Sequence, residues 1–214
     1  KVLGMEVPPD PCRVFAALNA GEDKTKELNV SGSIADYDKA IESEPRWAVI
    51  WVLRANAKLK LGQIDDALID CEEAISLEPR LATAWSTSGR AKKAKGDLRG
   101  ALADFDEALQ LDPKTSDMWV NRGCTKHMIG DHEGAIVDCT AALEHGGKEA
   151  LAFSTRAVAR FQLAKDFFAV IADCDEALNL DTTDASTWAT KAAALLWTSS
   201  IEAAIVCCNE ALRC

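Results

Sequence analysis

An all-α solenoid of antiparallel helix pairs is the fold class this sequence predicts, and three residue ladders held in one phase predict it. Trp51, Trp85, Trp119, Phe153 and Trp188 stand 34, 34, 34 and 35 residues apart. Ala67, Ala101, Ala135, Ala169 and Ala204 form the second ladder, and Ala74, Ala108, Ala142, Ala177 and Ala211 the third. Self-similarity at such a period marks one supersecondary unit copied along the chain, each copy burying its neighbour's apolar face. Arrays of this kind present surfaces rather than enclose active sites.

The elements follow in order. Residues 1–12 read as an extended lead-in and 13–45 as a degenerate repeat. In that repeat Asp10-Pro11 is the N-cap and first turn of a helix holding Phe15, Ala17, Leu18 and Gly21. Its second helix runs from Ser31 to Glu44, with Tyr37 and Ala40 in phase and Pro45 closing it. Repeat 46–79 has a helix over Ala48–Leu61, a left-handed stop at Gly62 and a second helix over Asp65–Leu77. Pro79 ends it, because the residue before a proline avoids the helical region. Repeats 80–113 and 114–147 copy this plan with Gly96 and Gly130 as breaks, the latter closing on Gly146-Gly147. Repeat 148–182 carries one extra residue near Phe167-Phe168, and repeat 183–214 ends the chain.

Small residues recur too. Ala55, Gly89, Gly123, Ala157 and Ala192 hold one place of the first helix, and the Ala67 ladder its counterpart in the second, so the two helices approach closely. The aromatic rungs are expected to wedge, buried, between neighbouring pairs. No polar terminal helix covers the last repeat, whereas arrays need one over their final apolar face. Continuation of the natural protein, a partner or a second copy would meet that face, around Trp188, Trp197 and Leu212. A chain that begins with Lys1 is expected to be a processed product or an excised fragment.

The 214 residues are 48% hydrophobic and carry Lys+Arg 24 against Asp+Glu 34, a net charge of −10. That balance opposes nucleic-acid binding, which needs a dense positive surface. No run of 18 apolar residues exists, so no membrane span is expected. Of eight cysteines, Cys71, Cys139, Cys174 and Cys208 share a place filled elsewhere by Tyr37 and Phe105. Such a place is interior, where free Cys acts as a small hydrophobe. The vicinal Cys207 is then an accidental neighbour of a core Cys208. Reduced thiols fit a cytoplasmic setting better than a disulfide framework.

Asn121, Cys124 and His127 resemble a cysteine-protease set only in composition. They fan from one helix stripe with no donors placed for an oxyanion, so no catalytic residue is assigned. Cys124, His127 and His132 lack the spacing of a metal site, and no metal or cofactor is expected. Two charge rows are more regular: Arg54, Arg122, Arg156 and Lys191 in first helices, and Asp36, Asp70, Asp104, Asp138 and Asp173 in second helices. Opposite rows in register predict repeated, partly exposed ion pairs, each worth less than about 1 kcal/mol.

These residues resemble the tetratricopeptide repeat family: an aromatic, a small residue, a loop Gly, two alanines and a closing Pro, over residues 46–214. Departures are the basic or Ser residues before the small one and the Gly146-Gly147 ending. The resemblance implies a right-handed superhelix, with the first helices lining an inner groove that binds an extended peptide or partner helix. Groove residues are then Val52, Leu53, Asn56, Lys60, Thr87, Arg90, Lys93, Val120, Asn121 and Phe161. Asn amides suit a peptide backbone because one group both donates and accepts. Arg90, Lys92, Lys93, Lys95 and Arg99 form a local basic stretch that fits a peptide with acidic residues. A specialised clamp in this family grips acidic chaperone tails. Its five places read Val52, Asn56, Thr87, Asp117 and Asn121, of which only Asn56 matches, although "AIVDC" and "ALIDCEEAI" are similar to co-chaperone segments. The expected function is a non-catalytic scaffold, adaptor or co-chaperone-like module. The alternative is a structural subunit that self-associates through its C-terminal repeat.

Overall fold

The computed structural model describes residues 30–147 and 149–214. They form eleven helices: α1 (Val30–Ser43), α2 (Ala48–Lys60), α3 (Ile64–Leu77), α4 (Ala82–Lys95), α5 (Leu98–Leu111), α6 (Ser116–Met128), α7 (His132–Glu144), α8 (Ala150–Gln162), α9 (Phe167–Leu180), α10 (Ala185–Trp197) and α11 (Ile201–Arg213). No strand occurs among the described residues. The helix expected around Phe15 and the lead-in at 1–12 lie outside them. Two compact units divide the chain, Lys1–Leu111 and Asp112–Cys214.

In the first unit α1 packs on α2, α2 on α3, α3 on α4 and α4 on α5, and α2 also touches α4. In the second, each helix from α6 to α11 packs on the next, while α8 touches both α6 and α10. Within each unit the first helices of successive pairs therefore share one layer.

Turn chemistry sets these pairs. Gly62, Gly96 and Gly130 adopt φ of 73°, 90° and 88°, the left-handed conformation that a side chain resists. The fourth pair differs. Its turn spans four residues, Leu163 to Asp166, where Leu61 to Gln63 and Ile129 to Asp131 have three. Ala164 and Asp166 take φ of 49° and 40° there. The extra residue thus sits in the turn, ahead of Phe167-Phe168, and shifts the register of everything after it. Val170 is fully buried in the place expected of Ala169, which is half-exposed. Asp173, Cys174 and Ala177 fall back into phase behind it.

Pair packing depends on the small residues. Ala55 lies with Ala67 and Cys71, and Ala157 with Val170 and Cys174. A Cβ on Gly89 would stand 2.7 Å from Phe105 Cε1, and one on Gly123 would stand 3.0 Å from Cys139 Sγ. Burial pushes the thiols of Cys71, Cys139 and Cys174 up to about 12, so they stay protonated and inert at neutral pH. Every described cysteine is free.

The aromatic rungs are half-buried rather than buried. Each indole N–H donates to the carbonyl six residues earlier: Trp51 to Pro45 (2.9 Å), Trp85 to Pro79 (2.9 Å), Trp119 to Pro113 (2.8 Å) and Trp188 to Thr182 (2.9 Å). An indole with one polar edge is best placed at such a boundary, where its ring is covered and its N–H is satisfied. The tryptophans thus pin four of the loops between pairs to the first helix that follows, whereas Phe153, which has no N–H, cannot do so before α8.

Cys208 was expected in the core, yet it is exposed and Cys207 is 4% exposed. Cys207 stands in the row of Asp70 and Asp138, which faces the helix's own partner. Cys208 stands in the row of Cys174, which packs on both its own first helix at Ala157 and the next one at Ala194.

Candidate interaction surfaces

The two charge rows meet as buried forks. Arg54 Nε and Nη2 donate to the two oxygens of Asp70 at 2.9 and 2.7 Å. Arg122 grips Asp138 at 2.8 Å on each oxygen, and Arg156 grips Asp173 at 3.0 and 2.6 Å. Lys58 and Lys126 add a second cation to Asp70 and Asp138. These are not the partly exposed pairs expected: the carboxylates of Asp70 and Asp138 are each 1% exposed. Each guanidinium also lies over the aromatic rung three residues before it, 4.8 Å from Trp51 and 4.7 Å from Trp119. Where Ser88 replaces arginine, its hydroxyl and Lys92 serve Asp104 instead. Lys191 turns to Asp175, because Cys207 occupies the acidic place of its pair. The arginine row is therefore consumed within the fold and is no track for an acidic ligand.

The expected groove residues separate into two sets. Val52, Thr87 and Val120 are 5%, 3% and 1% exposed, so they are packing residues and offer no groove surface. Their places fall on the seam between successive first helices, where contact in the layer covers them. Leu53 is half-buried against the cluster of Tyr37, Ile41 and Ile50. Asn56, Arg90, Lys93, Asn121 and Phe161 are partly exposed, and Lys60 is exposed.

In the first unit two of these are coupled. Arg90 Nη1 donates to Asn56 Oδ1 at 2.7 Å, while Asn56 Nδ2 donates to the Val52 carbonyl (3.0 Å) and reaches Thr87 Oγ1 (3.4 Å). The amide is held in one orientation between α2 and α4, and the guanidinium keeps donors that this bond does not use. The neighbouring basic residues are partly spoken for: Lys95 pairs with Asp65 and Lys92 with Asp104.

In the second unit Asn121 Nδ2 donates to the Asp117 carbonyl at 2.8 Å, and Cys124 Sγ lies 3.2 Å from Thr155 Oγ1. His127 Nδ1 is 3.1 Å from His132 Nδ1, and burial together with the charge of His132 lowers its pKa. Asn121, Cys124 and His127 thus each find a separate partner and do not converge. Among the described residues no three His, Cys, Asp or Glu side chains are placed to hold a metal ion.

Two features here escape sequence reading. Phe161 stands edge-on to Phe167 at 5.9 Å, and Phe167 stacks on Trp197 at 5.4 Å with an interplanar angle of 2°. Glu149, just before α8, lies beside Asp117 of α6 with Ser116 Oγ 3.5 Å away. Partial burial, and then the Asp117 carboxylate, push the Glu149 carboxyl up to about 7 from its ordinary 4.5. No local motif could reveal a pair separated by a whole repeat. Because the folded protein holds this proton more tightly than the unfolded chain, the contribution is full below about 4.5 and is lost as pH rises through about 7. Glu149→Gln is expected to flatten that part of a denaturation-midpoint-versus-pH curve. An unchanged slope would remove Glu149 as its source.

Of the C-terminal face, Trp197 and Leu212 are 69% and 86% exposed. Trp188 is half-buried instead, with Lys191 over its ring at 5.4 Å and its N–H bonded to Thr182.

Helix pairs with a left-handed turn, small residues at the close approach and aromatic rungs tied to the preceding loop define a tetratricopeptide repeat protein of the all-α solenoid class. A model of the family described as "N-terminal acetyltransferase A, auxiliary subunit" matches residues 13–143, and the chain belongs to that family. No curated protein matches the sequence significantly. Similar solved structures include PilW, a type IV pilus biogenesis factor (16% identity, TM-score 0.80, covering 91% of this chain and 90% of that one). YrrB, a tetratricopeptide repeat protein with an unusual peptide-binding site, is 18% identical with a TM-score of 0.66, covering 83% and 91%. The first such domain of Spaghetti, bound to an HSP90 peptide, is 24% identical with a TM-score of 0.55, covering 59% and 99%. At these identities the likeness is one of fold. No helix among the described residues is long and apolar enough to cross a membrane.

Proposed function

We propose that the chain is a non-catalytic adaptor that captures an extended peptide with acidic residues on its first helices. The observation that carries this reading is the Asn56–Arg90 pair between α2 and α4. It presents an oriented amide and a guanidinium beside Lys60 and Lys93, a local basic surface in a chain of net charge −10. Arg suits this task because its fork binds carboxylates bidentately. Asn121 and Phe161 offer a polar and an apolar contact in the second unit. A family described as auxiliary subunits supports a partner-holding role, and the peptide binding named for YrrB and Spaghetti supports a peptide as the kind of partner. The chaperone clamp retains only Asn56, which argues against capture of a chaperone tail in the manner of that clamp. The expected compartment is the cytoplasm, supported by the free, inert thiols of the core.

The reading is tested by comparing partners retained by the wild-type chain and by Arg90→Glu/Asn121→Ala. Arg90→Glu is expected to weaken binding of an acidic peptide at least about tenfold. Identical partner lists and affinities would remove this surface from consideration. A second reading is self-association through the last repeat, favoured by the exposed apolar residues of α11.

A further inference from the structure

We propose that His127 and His132 hold one divalent transition-metal ion, of the zinc, nickel or copper kind, between their Nδ1 atoms, with water completing its coordination. The two side chains meet across the turn of the third pair, His127 in the last turn of α6 and His132 at the start of α7. Their Nδ1 atoms lie 3.1 Å apart.

That spacing is the one two ligands take on a single ion. An imidazole nitrogen sits about 2.0–2.1 Å from such a metal, so neighbouring ligands at angles of about 90–110° lie about 2.9–3.4 Å apart. No sequence motif announces the pair, because the residues are five apart and only the helix reversal at Gly130 turns them toward each other.

The fold gives these two places to every pair. Leu59 and Ile64 hold them in the first, Lys93 and Leu98 in the second, Phe161 and Phe167 in the fourth, and Leu196 and Ile201 in the fifth. The two phenylalanines stand edge-on at 5.9 Å. Of these five pairs, only the third carries a metal-ligating side chain at either place, and it carries one at both. Histidine there gives up the apolar contact that leucine or phenylalanine would make. An ion bound between the rings offsets that loss and ties the end of α6 to the start of α7.

The surroundings suit a cation. Asp131 and Glu133, on either side of His132, are exposed carboxylates. The lysines beside them are engaged, Lys126 by Asp138 at 2.9 Å and Lys165 by Glu133 at 2.8 Å. Both histidines are half-buried, partly open to the water that fills the remaining positions. Cys124, one turn before His127, faces Thr155 at 3.2 Å and supplies no third ligand. Imidazole donors select the later first-row ions, with affinity rising toward copper. On binding, the single Nδ1 proton the pair shares moves to Nε2, so both rings ligate in the neutral form.

Zinc chloride titrated into the full chain tests the site, in a background with Cys12, Cys208 and Cys214 changed to serine so that their thiols do not compete. The sequence holds three histidines, so their imidazole nitrogen NMR signals are few. Zinc should move the Nδ1 signals of His127 and His132 and leave those of His145 in place. His127→Ala and His132→Ala should each weaken binding at least about tenfold, the cost of losing even an outer-shell partner. His145→Ala should not. His127→Phe/His132→Phe, the combination of the fourth pair, should fold and bind no zinc at this site. Zinc should then raise the melting temperature of the histidine-bearing chain and not that of the double variant. Nδ1 signals that stay in place with zinc in large excess overturn the proposal and leave the contact a hydrogen bond. Equal shifts of all three histidines, or affinity indifferent to both alanine changes, mark an adventitious ion only and overturn it too.

Discussion

Asp70→Asn is expected to lower the unfolding free energy by about 3–5 kcal/mol, the cost of breaking a buried ion pair from one side. Asp70 accepts from Arg54 twice and lies 2.7 Å from Lys58 Nζ, with its own carboxylate 1% exposed. An asparagine would leave Lys58 without its anion and deny Arg54 the second arm of its fork. The guanidinium would keep Asp38, so Lys58 suffers most. Urea denaturation of wild type and variant measures the difference. A change below about 1 kcal/mol would class the fork with ordinary surface bridges. Arg54→Met/Lys58→Met/Asp70→Leu should cost much less than the single change, because removing the carboxylate together with both of its cations leaves no charge without its partner. Peptide affinity, measured well below the transition, should be unchanged by Asp70→Asn. A loss of binding without a loss of stability would overturn the structural role of Asp70.

Gly89→Ala carries the second large effect, and its sign runs against helix propensity. In an exposed helix the change would stabilise by about 1 kcal/mol. Here the new methyl would stand 2.7 Å from the Phe105 ring, which is fully buried and has no room to retreat. Overpacking costs of about 1–3 kcal/mol outweigh the propensity gain, so a net loss is expected. The chain holds its own remedy: Ala55 faces Cys71 and Ala157 faces Cys174, a larger residue on one helix offset by a smaller one on the other. Phe105→Cys alone should cost about 3–5 kcal/mol through the cavity it leaves. Combined with Gly89→Ala it should cost clearly less than the sum, with a coupling of about 1 kcal/mol or more. Strict additivity in thermal or urea melts would show that the two side chains do not compete for one space.

The helix pairs were legible because each is specified locally. Trp51, Ala55, Gly62, Ala67 and Ala74 state within one repeat where a helix starts, what it packs and where it stops, and copying multiplies the signal. The candidate surface was less legible. Spacing placed Val52, Thr87 and Val120 on the inward stripe, but exposure depends on how far the adjacent first helix advances over them, and that distance appears in no single repeat. The one-residue insertion was visible as a 35-residue step. Its location was not, since Ala169 and Val170 both suit a core place, and only the four-residue turn shows which is used.

Periodicity alone was enough to decide the all-α solenoid class, the register of acidic and basic rows, and the interior place of Cys71, Cys139 and Cys174. Those follow from short-range rules: residues three, four and seven apart share a helix face, and small residues mark where helices touch. Tertiary structure alone decided that the rows close into buried forks, that Glu149 shares its surroundings with Asp117, and that Cys207 rather than Cys208 is enclosed. Each of these turns on which neighbour excludes water from a side chain. Exclusion is set by helices outside the segment in which the residue lies, which no local pattern names.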